Sequence, residues 1–384
     1  MTYAHNPSRK RSEPPRHRLS EYCVPIGYVF WLTSIPREVT AGVFLSRRFN
    51  SMRSRVISPR LLFLLMFFFL VMLPACGQSG NSQPTASTPS QTPTPAVTLD
   101  AYGTPIVFPA SAPQRIVSLV PNISEILGAL GLQGHVVGID YYTNYPANLT
   151  SLPKVSDVNG KYSVERIVAL KPDLVLSYGE DTRQYDAQLQ NLGMHVVDLP
   201  SGDLSLILQE ILTVGRLTFT TQTANNLVSQ LQAQINDVKA KVANTTAPKV
   251  LIESDYSTPG KPYVNGGGSF GDELVQDANG INIFHNNTTG GGFPQVTDEA
   301  IISANPQFII LTEDPAYGGD VNAVYKRSNW GSIDALKLHQ VYRINSNIIG
   351  RPGPRLVQGL QCLAQIIHPD KFAGALPAYC TGTV

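Results

Sequence analysis

TQTANNLVSQLQAQINDVKAKVA, residues 221–243, is the longest helical pattern in the chain and separates two halves that resemble each other. Apolar side chains recur in it at intervals of four, four, three and four positions, at Leu227, Leu231, Ile235, Val238 and Val242. This spacing predicts one apolar stripe along a helix, which can lie against a neighbour on either side. At about 1.5 Å per residue the helix would be roughly 34 Å long, enough for a strut between two lobes. On this pattern alone, a surface helix of a single domain is the alternative.

The sequences before and after this helix repeat at a constant offset of 134 residues. ERIVALKPDLVLS (Glu165 to Ser177) aligns with EAIISANPQFIIL (Glu299 to Leu311), and RIV at Arg115 aligns with KVL at Lys249. Each copy predicts a short helix, a proline that ends it, and an apolar strand buried on both faces. We therefore expect an α/β protein of two Rossmann-like lobes joined by a single long backbone helix, with a ligand cleft between the lobes.

Composition and pattern divide the chain into five predicted segments. They are a leader with a signal sequence (1–76), a flexible linker (77–98), an N-terminal α/β lobe (113–220), the interlobe helix (221–243) and a C-terminal α/β lobe (248–384). About 260 residues, Pro113 to Phe372, remain for folding, which is enough for two lobes.

The leader has the features of an export signal. Arginines precede the apolar run LLFLLMFFFLVML (Leu61 to Leu73), and LPAC then ends at Cys76. A basic start, a short apolar run and small residues before a cleavage site predict secretion, and the run is shorter than the about 20 residues that span a bilayer. LPAC resembles the lipobox of bacterial lipoproteins, in which the cysteine becomes the lipidated first residue. The alternative is an ordinary secretory cleavage with an incidental cysteine. Met52 would make a natural start, so residues 1–51 can be an over-long gene reading.

The linker and the charge balance narrow the possible partners. Residues 77–98 are mainly Ser, Thr, Pro, Gln and Gly, and they cannot bury enough apolar surface to offset the cost of ordering. Beyond Cys76 the chain keeps 18 basic and 25 acidic residues, a net charge of about −7 with histidine neutral. Such a charge argues against nucleic acid as a partner.

Two of the four cysteines lie beyond the leader. In an exported protein Cys362 and Cys380 are candidates for a disulfide that closes the C-terminal helix onto its tail, although the sequence leaves the pairing open. Isolated cysteines 18 residues apart, with no histidine pair nearby, have poor spacing for a metal site. The histidines are scattered without paired spacing, so we expect no metal.

A serine esterase is the alternative of another class. GGSFG at residues 267–271 fits the G-x-S-x-G elbow around Ser269, and Asp320, His339 and His368 follow in the order Ser, Asp, His. The elbow requires a buried strand directly before the serine, whereas PYVNGGG is short and rich in glycine. No phosphate-binding loop of the G-x-x-x-x-G-K-[ST] type is present in the sequence. We therefore expect no enzyme and no catalytic residue.

Six motifs follow one another in order along a stretch of about 255 residues, from Arg115 to Pro369. They are RIVSLVPNISEIL, YYTNYP, LPKVSDVNGKYSVERIVALKPDLVL, VNGGGSFGDELVQDANGINIF, FPQVTDEAI and RPGPRLVQGL. With them the chain resembles the substrate-binding proteins of ABC importers for cobalamin and iron-siderophores, in which two lobes are joined by one rigid helix. Within that group the cobalamin-binding proteins are the most similar.

The resemblance implies an exported protein, lipid-anchored at the outer face of the cell membrane, which captures cobalamin or a related corrinoid. It implies delivery to an ABC importer made of a permease dimer with its ATPase subunits, and we expect a monomer with no cofactor of its own. A ferric siderophore or haem is the alternative ligand. A catecholate site would need several arginines in the cleft, and Arg183 and Arg351 are the candidates there.

The resemblance also implies ligand contacts where residues match the family's motifs. Tyr142 of YYTNYP stands where a tyrosine packs on the corrin. The other implied contacts are the loop before the PGPR turn and three single positions, namely Asn347, Ile348, Ile349, Gly350, Arg351, Phe293, Tyr178 and Asn122. Aromatic faces supply contact area, while Asn347 and Arg351 can hydrogen-bond polar rims. Phe293 and Val158 replace tryptophans that often line the family's cleft, which leaves the exact ligand open.

Glu165 and Glu299 occupy equivalent positions in the repeat, and each begins a helix. Each lobe should therefore present one carboxylate on the same rim. Importers of the resembling type dock such a pair onto arginines of two identical membrane subunits, and two-fold geometry explains why the acids come as a pair. The alternative is that acidic residues merely favour helix N-termini.

Overall fold

The computed structural model describes residues 96–179, 182–200, 202–313 and 318–382. The predicted leader with Cys76, and most of the predicted linker, lie outside the described residues. Within the described ranges, no helix has both the length and the apolar character needed to cross a membrane.

The first lobe is a parallel sheet of four strands with helices between them. Its strands are β1 (Ile116–Ser118), β2 (Val136–Ile139), β3 (Leu174–Tyr178) and β4 (Val196–Leu199), in the order β2-β1-β3-β4. Its helices are α1 (Pro121–Ala129), α2 (Val164–Ala169) and α3 (Arg183–Asn191). Every residue of β1 and β3 is buried, as expected for central strands of a parallel sheet that helices cover on both faces.

Two successive helices follow the last strand of the first lobe; the first belongs to that lobe, and the second connects it to the other lobe. They are α4 (Leu204–Leu217) and α5 (Thr221–Val242), which pack on each other. Their close approach requires Gly215, because a Cβ built at that position would lie 2.4 Å from the Cβ of Ala224. The predicted interlobe helix is therefore present as α5.

The second lobe contains β5 to β9 and the remaining helices. Its strands are β5 (Lys249–Asp255), β6 (Tyr263–Val264), β7 (Ile281–Asn282), β8 (Phe308–Leu311) and β9 (Val341–Arg343). Its helices are α6 (Phe270–Asp277), α7 (Asp298–Ala304), α8 (Val321–Val324), α9 (Asp334–Lys337), α10 (Ser346–Ile349), α11 (Leu356–Ile367) and α12 (Ala378–Thr381). The sheet order is β6-β5-β8-β9, with β7 also paired to β5, and the pairing is parallel except between β5 and β6.

The two lobes repeat each other in strand register. Ile116 pairs with Leu174 in the first lobe and Val250 pairs with Phe308 in the second, at the same offset of 134 residues. The helices before β3 and β8, which are α2 and α7, also end in the same way. Lys171 and its equivalent Asn305 take left-handed backbone angles, with φ of 47° and 49°, and a proline follows each. The prediction of two similar α/β lobes is confirmed.

The stripe of α5 packs into one apolar core that reaches into both lobes. Its buried residues are Ala224, Val228, Leu231, Ile235, Val238 and Val242. Leu227, which the sequence placed on the stripe, is only half-buried at its edge, and Val228 lies inside instead. The reason is the contact with α4 at Gly215, which turns the face containing Ala224 and Val228 inward.

Residues 96–112 form an N-terminal strap that packs on the first lobe. Its turn is closed by the Asp100 carboxylate, which accepts hydrogen bonds from the N–H groups of Tyr102 and Thr104 at 2.9 and 2.7 Å. The Phe108 ring lies 3.9 Å from the guanidinium carbon of Arg216 on α4, and Ala96 packs against the core. Residues 96–98, at the end of the predicted linker, therefore belong with the folded lobe.

The Tyr102 hydroxyl of the strap reaches a buried pair of acids. It donates a hydrogen bond to Asp186 Oδ2 at 2.8 Å, and Asp198 lies beside it. Burial and the negative charge of Asp186 raise the pKa of the Asp198 carboxyl to about 8, although the Tyr102 hydroxyl opposes this shift. The strap thus covers acids that favour the protonated form.

A disulfide joins α12 to α11, between Cys362 and Cys380, both of which are fully buried. The helix that it fixes supports the chain after β9. The Asn345 N–H donates to the carbonyl of Cys380 at 2.7 Å, and its side-chain amide donates to the carbonyl of Tyr379 at 3.3 Å. Asn345 in turn caps α10 by accepting from the N–H of Asn347 at 3.0 Å.

Candidate functional site

The carboxyl edges of the two sheets face each other. The Asn122 side chain, which follows β1, donates to the carbonyl of Pro352, which follows β9, at 3.4 Å. The Asn144 side chain, which follows β2, donates to Asn347 Oδ1 at 3.4 Å. Ligands of α/β proteins bind beyond the carboxyl ends of parallel strands, so the space between these edges is the candidate binding cleft.

An aromatic loop, residues 140–146, follows β2 at this edge. Tyr141, Tyr142 and Tyr145 are exposed by 46%, 47% and 41% although they are large aromatic residues. Tyr141 and Tyr142 pack edge to face with ring centroids 5.3 Å apart, and the Tyr142 hydroxyl donates to the carbonyl of Val158. Exposed aromatic faces on a held loop are suited to a large ligand with apolar faces.

The base of the aromatic loop is held by its own lobe. Buried Asp140 accepts hydrogen bonds from the N–H of Tyr142 at 2.7 Å and from the Thr143 hydroxyl. The Lys154 ammonium donates to the carbonyl of Thr143 at 3.1 Å. Burial raises the pKa of Asp140, and the hydrogen bonds from Thr143 and Tyr142 oppose that shift. The loop base is therefore fixed by hydrogen bonds within the first lobe.

The second lobe contributes the segment from Asn345 to Arg355, which contains α10 and the RPGPR turn. The Arg351 guanidinium donates to Asn144 Oδ1 at 2.7 Å and to the carbonyl of Tyr142 at 3.3 Å. Burial lowers the pKa of Arg351, and the nearby Glu125 carboxylate opposes this. Arg351 thus contacts the aromatic loop across the cleft with two of its five donors.

Glu125 on α1 forms a bidentate ion pair with the second lobe. Arg355 donates to both of its carboxylate oxygens, from Nε to Oε2 at 2.9 Å and from Nη2 to Oε1 at 2.6 Å. Both residues are buried, and the Arg355 guanidinium carbon lies 4.1 Å from the centroid of the Tyr145 ring. A bidentate ion pair of this kind fixes the orientation of the two side chains as well as the distance between them.

All the predicted ligand residues lie at the carboxyl edges, but their exposure differs. Tyr142 and Gly350 are exposed, and Phe293, Asn347 and Arg351 are half-buried. Four others are buried in this structure, namely Asn122, Tyr178, Ile348 and Ile349. Phe293 is brought to the edge because the neighbouring Gln295 pairs with Tyr263, which pairs with the end of β5. These assignments stay predictions.

Several residues of the site were not singled out from the sequence. Tyr141 and Tyr145 are as exposed as Tyr142 and lie in the same loop. The sequence feature that could have identified them is the aromatic composition of YYTNYP itself. Asn144, Glu125 and Arg355 are joined to partners more than 200 residues away, so no local pattern predicts them.

Glu165 and Glu299 are exposed in the first turns of α2 and α7. The helices are capped alike, since Ser163 accepts from the N–H of Arg166 and Thr297 accepts from the N–H of Ala300. A hydrogen bond from its own backbone lowers the pKa of each glutamate, and the hydroxyl of the capping residue adds to this. α2 leads into β3 and α7 leads into β8, each of which is parallel to its neighbour in the sheet. Such a helix runs antiparallel to the strands, so its N-terminus lies at the carboxyl edge of the sheet.

Ser269 has the role of a helix cap rather than of a nucleophile. Its hydroxyl donates to the carbonyl of Gly266 at 2.7 Å and accepts from the N–H of Asp272 at 3.1 Å, and the residue is buried. It follows β6, a strand of two residues, so the buried strand of an esterase elbow is missing here. Among the residues that the structure describes, no three His, Cys, Asp or Glu side chains are grouped to hold a metal ion.

Comparison with known proteins gives consistent matches. The family described as "Periplasmic binding protein" matches residues 116–348. The uncharacterized ABC transporter substrate-binding lipoprotein YvrC of Bacillus subtilis is 32% identical over 309 residues, 79% of this chain and 95% of that protein. The vitamin B12-binding protein of Vibrio cholerae is 25% identical over 257 residues, 66% of this chain and 88% of that protein. The solved structure of the periplasmic heme-binding protein RhuT from Roseiflexus sp. RS-1 is similar in fold, with a TM-score of 0.60 and 24% identity over 68% of this chain and all of that one.

Proposed function

Because this chain belongs to the periplasmic binding protein family, we propose that it captures cobalamin or a related corrinoid outside the cytoplasm and delivers it to an ABC importer. The family consists of substrate-binding proteins of transporters, so the chain is not an enzyme. The corrinoid, the lipid anchor and the docking residues are the parts that we propose.

The exposed aromatic loop is the observation that carries the proposed ligand. Three tyrosines have exposed side chains at the carboxyl edge of the first lobe, and the half-buried Phe293 lies at the edge of the second. A corrin has broad apolar faces with amide groups at its rim. Tyrosine rings can cover such faces at low cost in side-chain entropy, while Asn347 and the remaining donors of Arg351 can bind the amides. The similarity to a vitamin B12-binding protein supports the same class of ligand.

Cys76 is the proposed site of lipid attachment. The sequence LPAC and the naming of YvrC as a lipoprotein support it. Residues 77–95 would then be the tether, since the strap that begins at residue 96 is already packed on the first lobe.

Glu165 and Glu299 are the proposed docking residues for the permease dimer. Their equivalent positions, exposure and lowered pKa values support this, because each remains a carboxylate that is free to meet a cation. Two related carboxylates on two related lobes suit two identical membrane subunits.

Isothermal titration calorimetry with three probes tests the proposed ligand. The purified protein is titrated with cyanocobalamin, haem and a ferric catecholate siderophore under the same conditions. We expect saturable one-to-one binding of cyanocobalamin, and a Tyr142→Ala variant should bind it more weakly. Saturable binding of haem or of the siderophore, with no binding of cyanocobalamin, would replace the corrinoid by that ligand.

A further inference from the structure

The two lobes support different parts of the aromatic loop. Its base is fixed by Asp140 and Lys154, which belong to the first lobe. Its tip, Asn144 and Tyr145, is in contact with the second lobe. Asn144 accepts from Arg351 and donates to Asn347, and the Tyr145 ring lies under the Arg355 guanidinium.

Both arginines of the second lobe face the Glu125 carboxylate of the first lobe at this junction. Arg355 is paired with Glu125 on both carboxylate oxygens, and Arg351 Nη1 lies 3.6 Å from Glu125 Oε1. The other charged groups near the loop are Asp140 and Lys154. Glu125 is 2% exposed and Arg355 is 9% exposed, so each would be a buried unpaired charge without the other. Removing either partner alone would therefore be costly, and the bidentate geometry fixes how the two side chains meet where the lobes touch.

We propose that Arg351 and Arg355 are positioning residues, which hold the tip of the aromatic loop from the opposite lobe and keep its tyrosines in the shape that binds ligand. Glu125 fixes Arg355 in turn, and we call Glu125, Arg351 and Arg355 the interlobe clasp. This inference rests on the proposed function, since it assigns the clasp to the same ligand site. It predicts that affinity for ligand depends on contact between the lobes and not on the first lobe alone.

The variants distinguish loss of the clasp contacts from a general loss of fold stability. Arg355→Gln removes the two-pronged pair and the contact with Tyr145, and Glu125→Gln removes the charge with little change in shape. Arg355→Lys keeps the positive charge but loses the bidentate geometry of the guanidinium. We therefore expect its loop exchange and affinity to lie between those of the wild type and Arg355→Gln. Lys241→Met is the control, because it breaks an exposed ion pair with Asp237 on α5, away from the loop. Should Arg355→Gln fail to fold, Arg351→Lys tests the other contact with the loop tip, through Asn144, and is judged by hydrogen exchange alone because Arg351 is also a proposed ligand contact.

The first measurement needs no ligand. Hydrogen exchange of the amides of residues 141–145 is compared with exchange of the β3 amides in the same full-length protein. We expect faster exchange of the loop in Arg355→Gln and Glu125→Gln, unchanged exchange in β3, and no change in Lys241→Met. Loop exchange equal to that of the wild type in both variants would overturn the proposal.

The second measurement is the dissociation constant for cyanocobalamin by calorimetry. If the loop keeps its binding shape in roughly a tenth of the variant molecules, the apparent affinity falls about tenfold. The double variant should be no weaker than the weaker single variant, because Glu125 and Arg355 act as a unit. Unchanged affinity in both single variants would contradict the clasp. If the wild type fails to bind cyanocobalamin, the proposed ligand is wrong, and loop exchange still decides the clasp.

Discussion

Removal of the Cys362–Cys380 disulfide should lower stability by an amount that the structure allows to be worked out. The perturbation is the double variant Cys362→Ala and Cys380→Ala, which leaves no buried polar group at two fully buried positions. The bond closes a loop with a sequence separation of 18 residues. A loop of this size restricts the unfolded chain by about 3 kcal/mol. For a folded part of this length, that corresponds to a decrease in Tm of roughly 6–12 °C.

The assay is thermal unfolding followed by circular dichroism, with and without a phosphine reductant. Reductant should lower the Tm of the wild type towards that of the double variant and should leave the double variant unchanged, which makes the variant its own control. We also expect weaker binding of cyanocobalamin, because α12 supports Asn345 and Asn345 caps α10 at the cleft. A double variant with the Tm of the wild type would refute the reasoning that this bond stabilises the second lobe.

Two further predictions concern the N-terminal strap and the acids that it covers. Asp198 has a pKa raised to about 8, so its contribution to stability is complete below the unfolded pKa and is lost as the pH rises through about 8. Asp198→Asn should therefore match the wild type in Tm at pH 4 and exceed it at pH 9, and equal Tm values at pH 9 would contradict this. A fragment that begins at Pro113 should be less stable by a few kcal/mol than one that begins at Thr94, because it loses the burial of Ile106 and Phe108 and the hydrogen bond from Tyr102. Equal urea midpoints for the two fragments would show that the strap does not contribute.

The duplicated fold could be predicted from the sequence because its signals are local and occur twice. LVL and FII follow a proline at the same offset, and a strand buried on both faces needs such an apolar run. The repeat even extends to the left-handed Lys171 and Asn305, which no composition argument would have found. The error in the stripe of α5, where Val228 lies inside and Leu227 at the edge, came from a neighbour. The spacing of apolar residues in α5 does not show which of its faces packs against Gly215 of α4.

The candidate site was predictable only in part. YYTNYP marks an aromatic loop by its composition, yet which of its tyrosines are exposed depends on the fold. The clasp could not be predicted because Glu125 and Arg355 are separated by 230 residues, with Glu125 in α1 and Arg355 at the end of the RPGPR turn before α11. The strap was missed because residues 99–112 have the turn residues of a linker, while the apolar Ile106 and Phe108 find their partners on the first lobe.

Delivery to an importer by two matched lobes is the central claim, and transport by a docking variant tests it most directly. Uptake of radiolabelled cyanocobalamin is measured in cells whose copy of this protein carries Glu165→Ala and Glu299→Ala. Asp237→Ala with Asp370→Ala is the matched control, since it removes two exposed carboxylates from other surfaces. We expect the docking variant to bind cyanocobalamin as the wild type does but to support no uptake, while the control supports normal uptake. Uptake at the wild-type rate with the docking variant would contradict the account.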